Sequence, residues 1–340
     1  MDMLTRFVGL DYHQNMVQVC VMDSEGNILV NRACENDWQK IAETLGERQE
    51  LFMVRAAVEA CCGAADLAEE LVEQAGWAVS LAHPGIVARM KQNPDKTDYS
   101  DARLLSDLMR VGYLPRVWLA PQEVRELRRL VRFRQQLVNQ RRATKLRIRA
   151  LLREHRIKCD GDCRAWTKGW LAWLEQNNQL PSNSRWIMDR QLATLKRFNG
   201  EIKEVERQLQ QMTEKDAVIS KLLTYSGIGP ITAFTLRAEI GHFDRFQNGK
   251  QLARFCGLSP QNASSGDRQA DAGLIKAANR QLRAVLIEAA QRLIHHDERW
   301  TRMAQHLLAK GKRRNVVTAA VANRWIRWLY HQMQPEQLAA

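Results

Sequence analysis

Phe7-Val8-Gly9-Leu10-Asp11, then Met16-Val17-Gln18-Val19-Cys20-Val21-Met22, then Asp23-Ser24-Glu25-Gly26-Asn27 leading into Ile28-Leu29-Val30: this stretch decides the fold. The first run is apolar and stops at an acid. The second is rich in Val, as strands are, and the polar cluster at 23–27 is a turn before a third strand. Residues 35–46 have a helical pattern. Phe52 to Val58 is apolar almost throughout, as a buried central strand should be, and ends at Glu59. A helix over 64–75, a strand over 77–82, His83-Pro84-Gly85 and helices over 85–92 and 100–112 complete the region.

Three hairpin-linked strands followed by alternating helices and strands give the order of an α/β RNase H-like fold. Sugar kinases and actin-like ATPases share that order, but no Gly-rich phosphate loop follows the strands here. The whole chain has 340 residues, 45% hydrophobic and 26% charged, enough to bury a sizeable core. Length alone suggests about two domains. Lys and Arg number 51 against 38 Asp and Glu, a net charge of +13, which calls for a polyanionic partner, most simply nucleic acid. No apolar run approaches the roughly 20 residues of a membrane span. Met1 to Arg6 has no apolar stretch suited to a signal peptide, so the expected location is cytoplasmic, with the nucleoid. Seven scattered cysteines suit reduced thiols better than a disulfide framework. Cys159 and Cys163, with only His155 near, are too few ligands for zinc, and a loop is the plainer reading.

Strand signals vanish after 121. Residues 121–160 hold 13 Lys and Arg against four acids, while Leu127, Leu130, Val131, Leu137, Val138, Leu146, Ile148 and Leu151 recur at helical intervals. This is a long helix with an apolar stripe and a basic face. Arg132, Arg134, Arg141, Arg142, Lys145 and Arg149 are its candidates for holding a nucleic-acid backbone; a solvated coiled-coil arm is the bland alternative. Trp166, Trp170 and Trp173 are spaced for one helix face, where packing is the commoner use. A second helix over 185–213 pairs antiparallel with the first. The expected division is therefore 1–115, a helical coiled-coil linker over 116–215, and a mostly α-helical domain over 216–340.

That last domain opens with Ser226-Gly227-Ile228-Gly229-Pro230 between two apolar helices. Gly227 and Gly229 permit a tight helix-hairpin-helix-like turn that grips nucleic-acid backbone at the next helix N-terminus. Phe255-Cys256-Gly257-Leu258-Ser259-Pro260, a polar loop from Gln261 to Asp271, a basic helix over 274–294 and a helix over 313–331 follow. Arg268, Lys276 and Arg280 supply positive charge around the loop.

Chemistry concentrates on four carboxylates. Asp11 and Glu59 end neighbouring strands, while Asp98 and Asp101 share one face of a helix's first turn. Converging acids repel unless cations neutralise them, and oxygen ligands select Mg²⁺ or Mn²⁺. Two such ions are a common means of phosphodiester displacement. Taken singly, Asp98 could merely cap its helix. Ser265, in Ala263-Ser264-Ser265-Gly266-Asp267-Arg268, reads by composition as a turn residue.

With Phe7-Val8-Gly9-Leu10-Asp11, Val58-Glu59-Ala60, Lys96-Thr97-Asp98-Tyr99-Ser100-Asp101-Ala102-Arg103, the Ser226–Gly229 hairpin and Gly257-Leu258-Ser259-Pro260…Ser264-Ser265-Gly266, in this order over nearly the whole chain, the sequence resembles the IS110/IS1111 family of DEDD transposases. The resemblance implies a RuvC-like N-terminal domain with Asp11, Glu59, Asp98 and Asp101 as the acidic tetrad. It also implies a C-terminal transposase domain whose serine, Ser265 by the motif with Ser264 adjacent, becomes covalently linked to DNA. Donor and target DNA, a structured guide RNA encoded by the element, and assembly of protomers as a dimer or tetramer are implied with it. The chain departs from the family after the serine loop, where Ala278 stands for a frequent glycine. A RuvC-type junction resolvase using water, and a non-catalytic nucleic-acid-binding protein, are the rival readings.

Overall fold

The computed structural model describes residues 4–46, 52–91, 97–159, 164–176, 179–262 and 271–334. The chain divides into two compact units, Met1–Ala120 and Pro121–Ala340. The second takes in all but the first five residues of the helical segment expected over 116–215, together with the domain expected over 216–340.

The first unit is a six-stranded mixed sheet. Its strands are β1 (Leu4–Tyr12), β2 (Met16–Met22), β3 (Ile28–Glu35), β4 (Phe52–Glu59), β5 (Ala78–Ala82) and β6 (Arg116–Val117), in spatial order β3-β2-β1-β4-β5-β6. The first three form the antiparallel meander, whereas β1 and β4, and β4 and β5, run parallel. Parallel neighbours need a crossover, and α2 (Ala64–Ala75) supplies the one between β4 and β5. The short edge strand β6 is antiparallel to β5 and was not foreseen from the sequence.

Alternation along the central strands sorts their side chains onto two faces. Val8, Leu10, Ala56 and Val58 join Ile41 of α1 (Trp38–Ala42) and Leu67, Ala68 and Leu71 of α2 in one core. Phe7 and Ala57, from the alternate positions, join Val87 of α3 (Pro84–Met90) and Ala102, Leu105 and Met109 of α4 (Asp98–Arg110) in the other. At Gly9 the strand and α4 meet backbone to backbone. A Cβ on Gly9 would lie 1.9 Å from the Ala102 carbonyl oxygen and 2.5 Å from the Ser106 nitrogen. The buried Ser106 hydroxyl donates to the Phe7 carbonyl at 2.8 Å, pinning the helix to the strand.

Among the described residues the second unit is helical apart from one hairpin. Its antiparallel arms are α5 (Gln122–Glu154) and α7 (Ser182–Met212), with α6 (Lys168–Gln176) between them. Near the base, Leu127, Val131 and Leu137 share a core with Phe198, Ile202, Val205 and Leu209. At the far end Ile148 and Leu152 meet Trp170, Leu174, Met188 and Leu195. Leu146, expected in the apolar stripe, is instead exposed, because the helical turn places Thr144 and Ile148 on the buried side. Trp166 precedes α6 with φ +73°, so the three tryptophans do not lie on one helix; Trp170 is the buried one. Cys159 is disulfide-bonded, which corrects the reduced-thiol expectation there; Cys20, Cys34, Cys61, Cys62 and Cys256 are free.

Beyond α7 come α8 (Ala217–Leu223), α9 (Pro230–Ile240), α10 (Gly249–Phe255), a hairpin of β7 (Pro260–Asn262) and β8 (Asp271–Leu274), and α11 (Arg280–His296), α12 (Glu298–Ala309) and α13 (Arg314–Gln332). The helix expected from 274 starts at 280, since 271–274 pairs as a strand and Asn279 caps α11 by accepting from the Gln281 and Leu282 amides. The departure at Ala278 is accommodated by bare backbone opposite: a Cβ on Gly257 would come within 2.7 Å of the Ala278 methyl. Among the described residues no helix is long and apolar enough to cross a membrane.

Candidate metal centre and nucleic-acid interface

Strand parity builds the centre. Phe7 and Gly9 face α4, so Asp11, two further along β1, lies on the same side. The parallel register pairs Leu10 with Val58, making Asp11 and Glu59 the next positions on adjacent strands. On the facing helix the Thr97 hydroxyl accepts from the Ser100 amide, and the Ser100 hydroxyl reaches back to the Thr97 amide, a capping box that starts α4 at Asp98. Asp98 and Asp101 thereby sit in its first turn, where the helix dipole favours anions.

These acids differ in setting. Asp101 is 6% exposed and pairs with Lys91, Nζ to Oδ2 at 2.6 Å. Asp98 is largely exposed, and Asp11 is mostly buried. Burial raises the Asp11 carboxyl above the usual carboxylate range; His13 lowers it again, while Asp101 and Asp98 push it further up. The Asp11 Oδ2 atom is buried without a hydrogen-bond partner. A charged oxygen left so is costly to the fold and suited to an ion.

One residue was missed from the sequence. His13 Nε2 stands 3.4 Å from Asp11 Oδ2 and 3.4 Å from Asp98 Oδ2. One ligand atom from each of Asp11, His13 and Asp98 can be chosen so that all lie within 4.8 Å of one another. Donors about 2.1 Å from a six-coordinate ion are about 3 to 4 Å apart, so the set fits a single divalent cation. Glu59 and Asp101 are outside that triplet. Strand alternation gave no signal for it, since β1 ends at Tyr12 and His13 sits in the turn that follows. Lys91 gave no signal, because its pairing with Asp101 is tertiary.

Residues 8–157 match a family model described as transposase, of the DEDD IS110 type, and residues 219–305 match another described as transposase of the IS116/IS110/IS902 family. The chain is 28% identical to a probable family 20 transposase of Pseudomonas aeruginosa over 97% of each chain. It is 24% identical to the transposase for insertion sequence element IS1111A of Coxiella burnetii, over 93% of this chain and 86% of that one. To the transposase for IS1328 of Yersinia enterocolitica it is 25% identical over 94% of each. The chain belongs to the IS110/IS1111 transposase family. It is an enzyme of DNA recombination, and membership in a DEDD family implies use of divalent metal.

Several basic residues of this transposase are paired within the protein. Arg132 holds the buried Glu239 with two hydrogen bonds, at 2.8 and 2.9 Å, and Asn279 donates to the same carboxylate at 2.7 Å. Arg134 pairs with Glu206, and Arg141 donates to Asn199. The Lys145 ammonium lies 4.8 Å from the Trp166 ring centroid; burial and then Arg141 lower its pKa. Arg142 and Arg149 are exposed on the same helix.

In the glycine hairpin, Gly227 has φ +82°, and its carbonyl accepts from Arg292 at 3.0 Å. Gly229 is the N-cap of α9. Asp216, the N-cap of α8, pairs with the buried Arg237 of α9 at 2.7 Å, which fixes the two helices around the turn. Exposed Lys276 lines a cleft of about 530 Å³ with Arg254, Gln261, Ile275 and Ala277 at the root of the β7–β8 hairpin, and Arg280 is exposed at the start of α11. Ser264, Ser265 and Arg268 lie outside the described residues.

Proposed function

We propose that this transposase mobilises an insertion element by metal-assisted strand exchange through a serine. The sheet order and the parallel β1–β4–β5 core support an RNase H-like, RuvC-like reading of the first unit. The observation that carries the site is the orphaned Asp11 Oδ2, aimed at a second acid across the sheet–helix seam. Asp11, Glu59, Asp98 and Asp101 would hold Mg²⁺ or Mn²⁺, with Lys91 balancing Asp101. Bound there, the ions supply positive charge to the scissile phosphate and favour loss of the attacking hydroxyl's proton.

Ser265 Oγ attacks phosphorus. The bond from Oγ to phosphorus forms, the bond from phosphorus to a strand oxygen breaks, and that oxygen leaves with a proton. A strand hydroxyl then attacks the phosphoserine and returns the oxygen to Ser265, so bond energy is conserved without hydrolysis. Arg142, Arg149, Lys276 and Arg280, being exposed, are the residues that contact DNA or guide RNA in this scheme. Family resemblance supports the guide RNA, the three-part division at 115 and 215, and action as a dimer or tetramer.

The test is recombination between element ends and target, with denaturing gels for a protein–DNA adduct. Asp11→Asn abolishes recombination and leaves binding largely intact. Ser265→Ala abolishes both adduct and recombination. Recombination persisting when Ser264 and Ser265 are both replaced refutes the serine step, and cleavage with no adduct favours hydrolysis by water.

A further inference from the structure

The acids of the centre were expected to offer oxygen alone. We infer that His13 is a nitrogen ligand that joins Asp11 and Asp98 on one divalent ion and biases the site toward Mn²⁺ over Mg²⁺. The inference rests on the reading of the acids as a metal centre and adds the ligand that sets its selectivity.

Geometry makes the case. The ring nitrogen is equidistant from two carboxylate oxygens, one of them buried and without a hydrogen bond. At 3.4 Å these separations exceed the range of a normal hydrogen bond but match neighbouring donors around a shared ion. The His13 backbone is held too, since its amide donates to the Met16 carbonyl at 3.0 Å in the β1–β2 turn. The imidazole is half exposed, which gives an ion a way in.

The opposite side of the centre is different. Asp101 is already covered by the Lys91 ammonium at 2.6 Å. Of the two ends, the triplet of Asp11, His13 and Asp98 is therefore the one open to a cation in the resting protein.

Chemistry supplies the selectivity. Mg²⁺ demands oxygen ligands in near-ideal octahedra and keeps much of its water. Carboxylates suit both Mg²⁺ and Mn²⁺, but Mn²⁺, as a first-row transition ion, gains more from an imidazole nitrogen than the hard Mg²⁺ does. A single nitrogen in this set raises affinity for Mn²⁺ and adds little for Mg²⁺.

The experiment uses full-length protein stripped of metal. Mn²⁺ and Mg²⁺ affinities are measured by calorimetry for the parent chain, His13→Gln and Asp11→Asn, and the Mn²⁺-loaded parent is examined by pulsed electron paramagnetic resonance. We expect nitrogen coupling to Mn²⁺ in the parent chain. In His13→Gln, Mn²⁺ affinity falls at least about tenfold while Mg²⁺ affinity changes little. Absence of nitrogen coupling in the unmutated protein overturns the inference even if the variant folds poorly. Equal losses for both ions in His13→Gln also overturn it. If Asp11→Asn retains full affinity for both ions, the metal-centre reading itself fails; if Asp11→Asn loses them while His13→Gln keeps the parent's preference, only the role of His13 fails.

Discussion

Gly9 decides how close the two halves of the acidic centre come. Its missing side chain lets the Ala102 carbonyl and the Ser106 amide sit against β1, which carries α4, and with it Asp98 and Asp101, to Asp11. Gly9→Ala places a methyl against backbone atoms that cannot rotate away. The expected loss is about 3 kcal/mol, the upper end for overpacking, read from urea melts. Divalent ions should raise the melting temperature of the parent chain and do so much less for Gly9→Ala, because the acids are pushed apart. An undiminished ion-induced shift would show that the β1–α4 contact does not set the spacing.

On the scale of the element, α5 serves two purposes that its composition could not separate. Arg132 anchors the helix to the buried Glu239 of α9 and, through it, to Asn279, which caps α11. Arg142, three turns further on, is exposed. Arg132→Ala takes two hydrogen bonds from a buried carboxylate that keeps Arg128 and Asn279 beside it, and should cost about 2 kcal/mol. Arg142→Ala should stay within about 0.5 kcal/mol of the parent yet weaken nucleic-acid binding. Equal stability of the two variants in urea melts would contradict this division. The glycine hairpin is likewise built into its fold: a Cβ on Gly227 would lie 2.8 Å from Leu293, so Gly227→Ala should destabilise the α8–α9 unit whatever its part in binding.

Across the whole molecule the charge of +13 sets affinity more than specificity. Each phosphate neutralised releases a counterion, so binding to duplex DNA should fall linearly with the logarithm of salt concentration. Replacing Arg142 and Arg149 together with Ala should make that slope shallower by about 2, measured by filter binding or anisotropy. An unchanged slope would move the contact surface elsewhere.

The hairpin-linked first three strands, the adjacency of β1 and β4 and the extents of β2 and α2 were legible in the sequence, because alternation and helical periodicity are local and the apolar runs are bounded by turn residues, whereas the edge strand β6 was not. The placement of Asp11, Glu59, Asp98 and Asp101 at strand ends and in a helix's first turn followed from the same local rules. The likeness to a transposase family was legible too, through motifs in order. Only the tertiary structure decided that His13 stands between Asp11 and Asp98, that Lys91 covers Asp101, and that Arg132, Arg134 and Arg141 are engaged within the protein. Such pairings join residues far apart in the chain, or on a turn beyond a strand's end. Charge and spacing in sequence do not report which side chains the packed backbones bring within a few ångströms of each other.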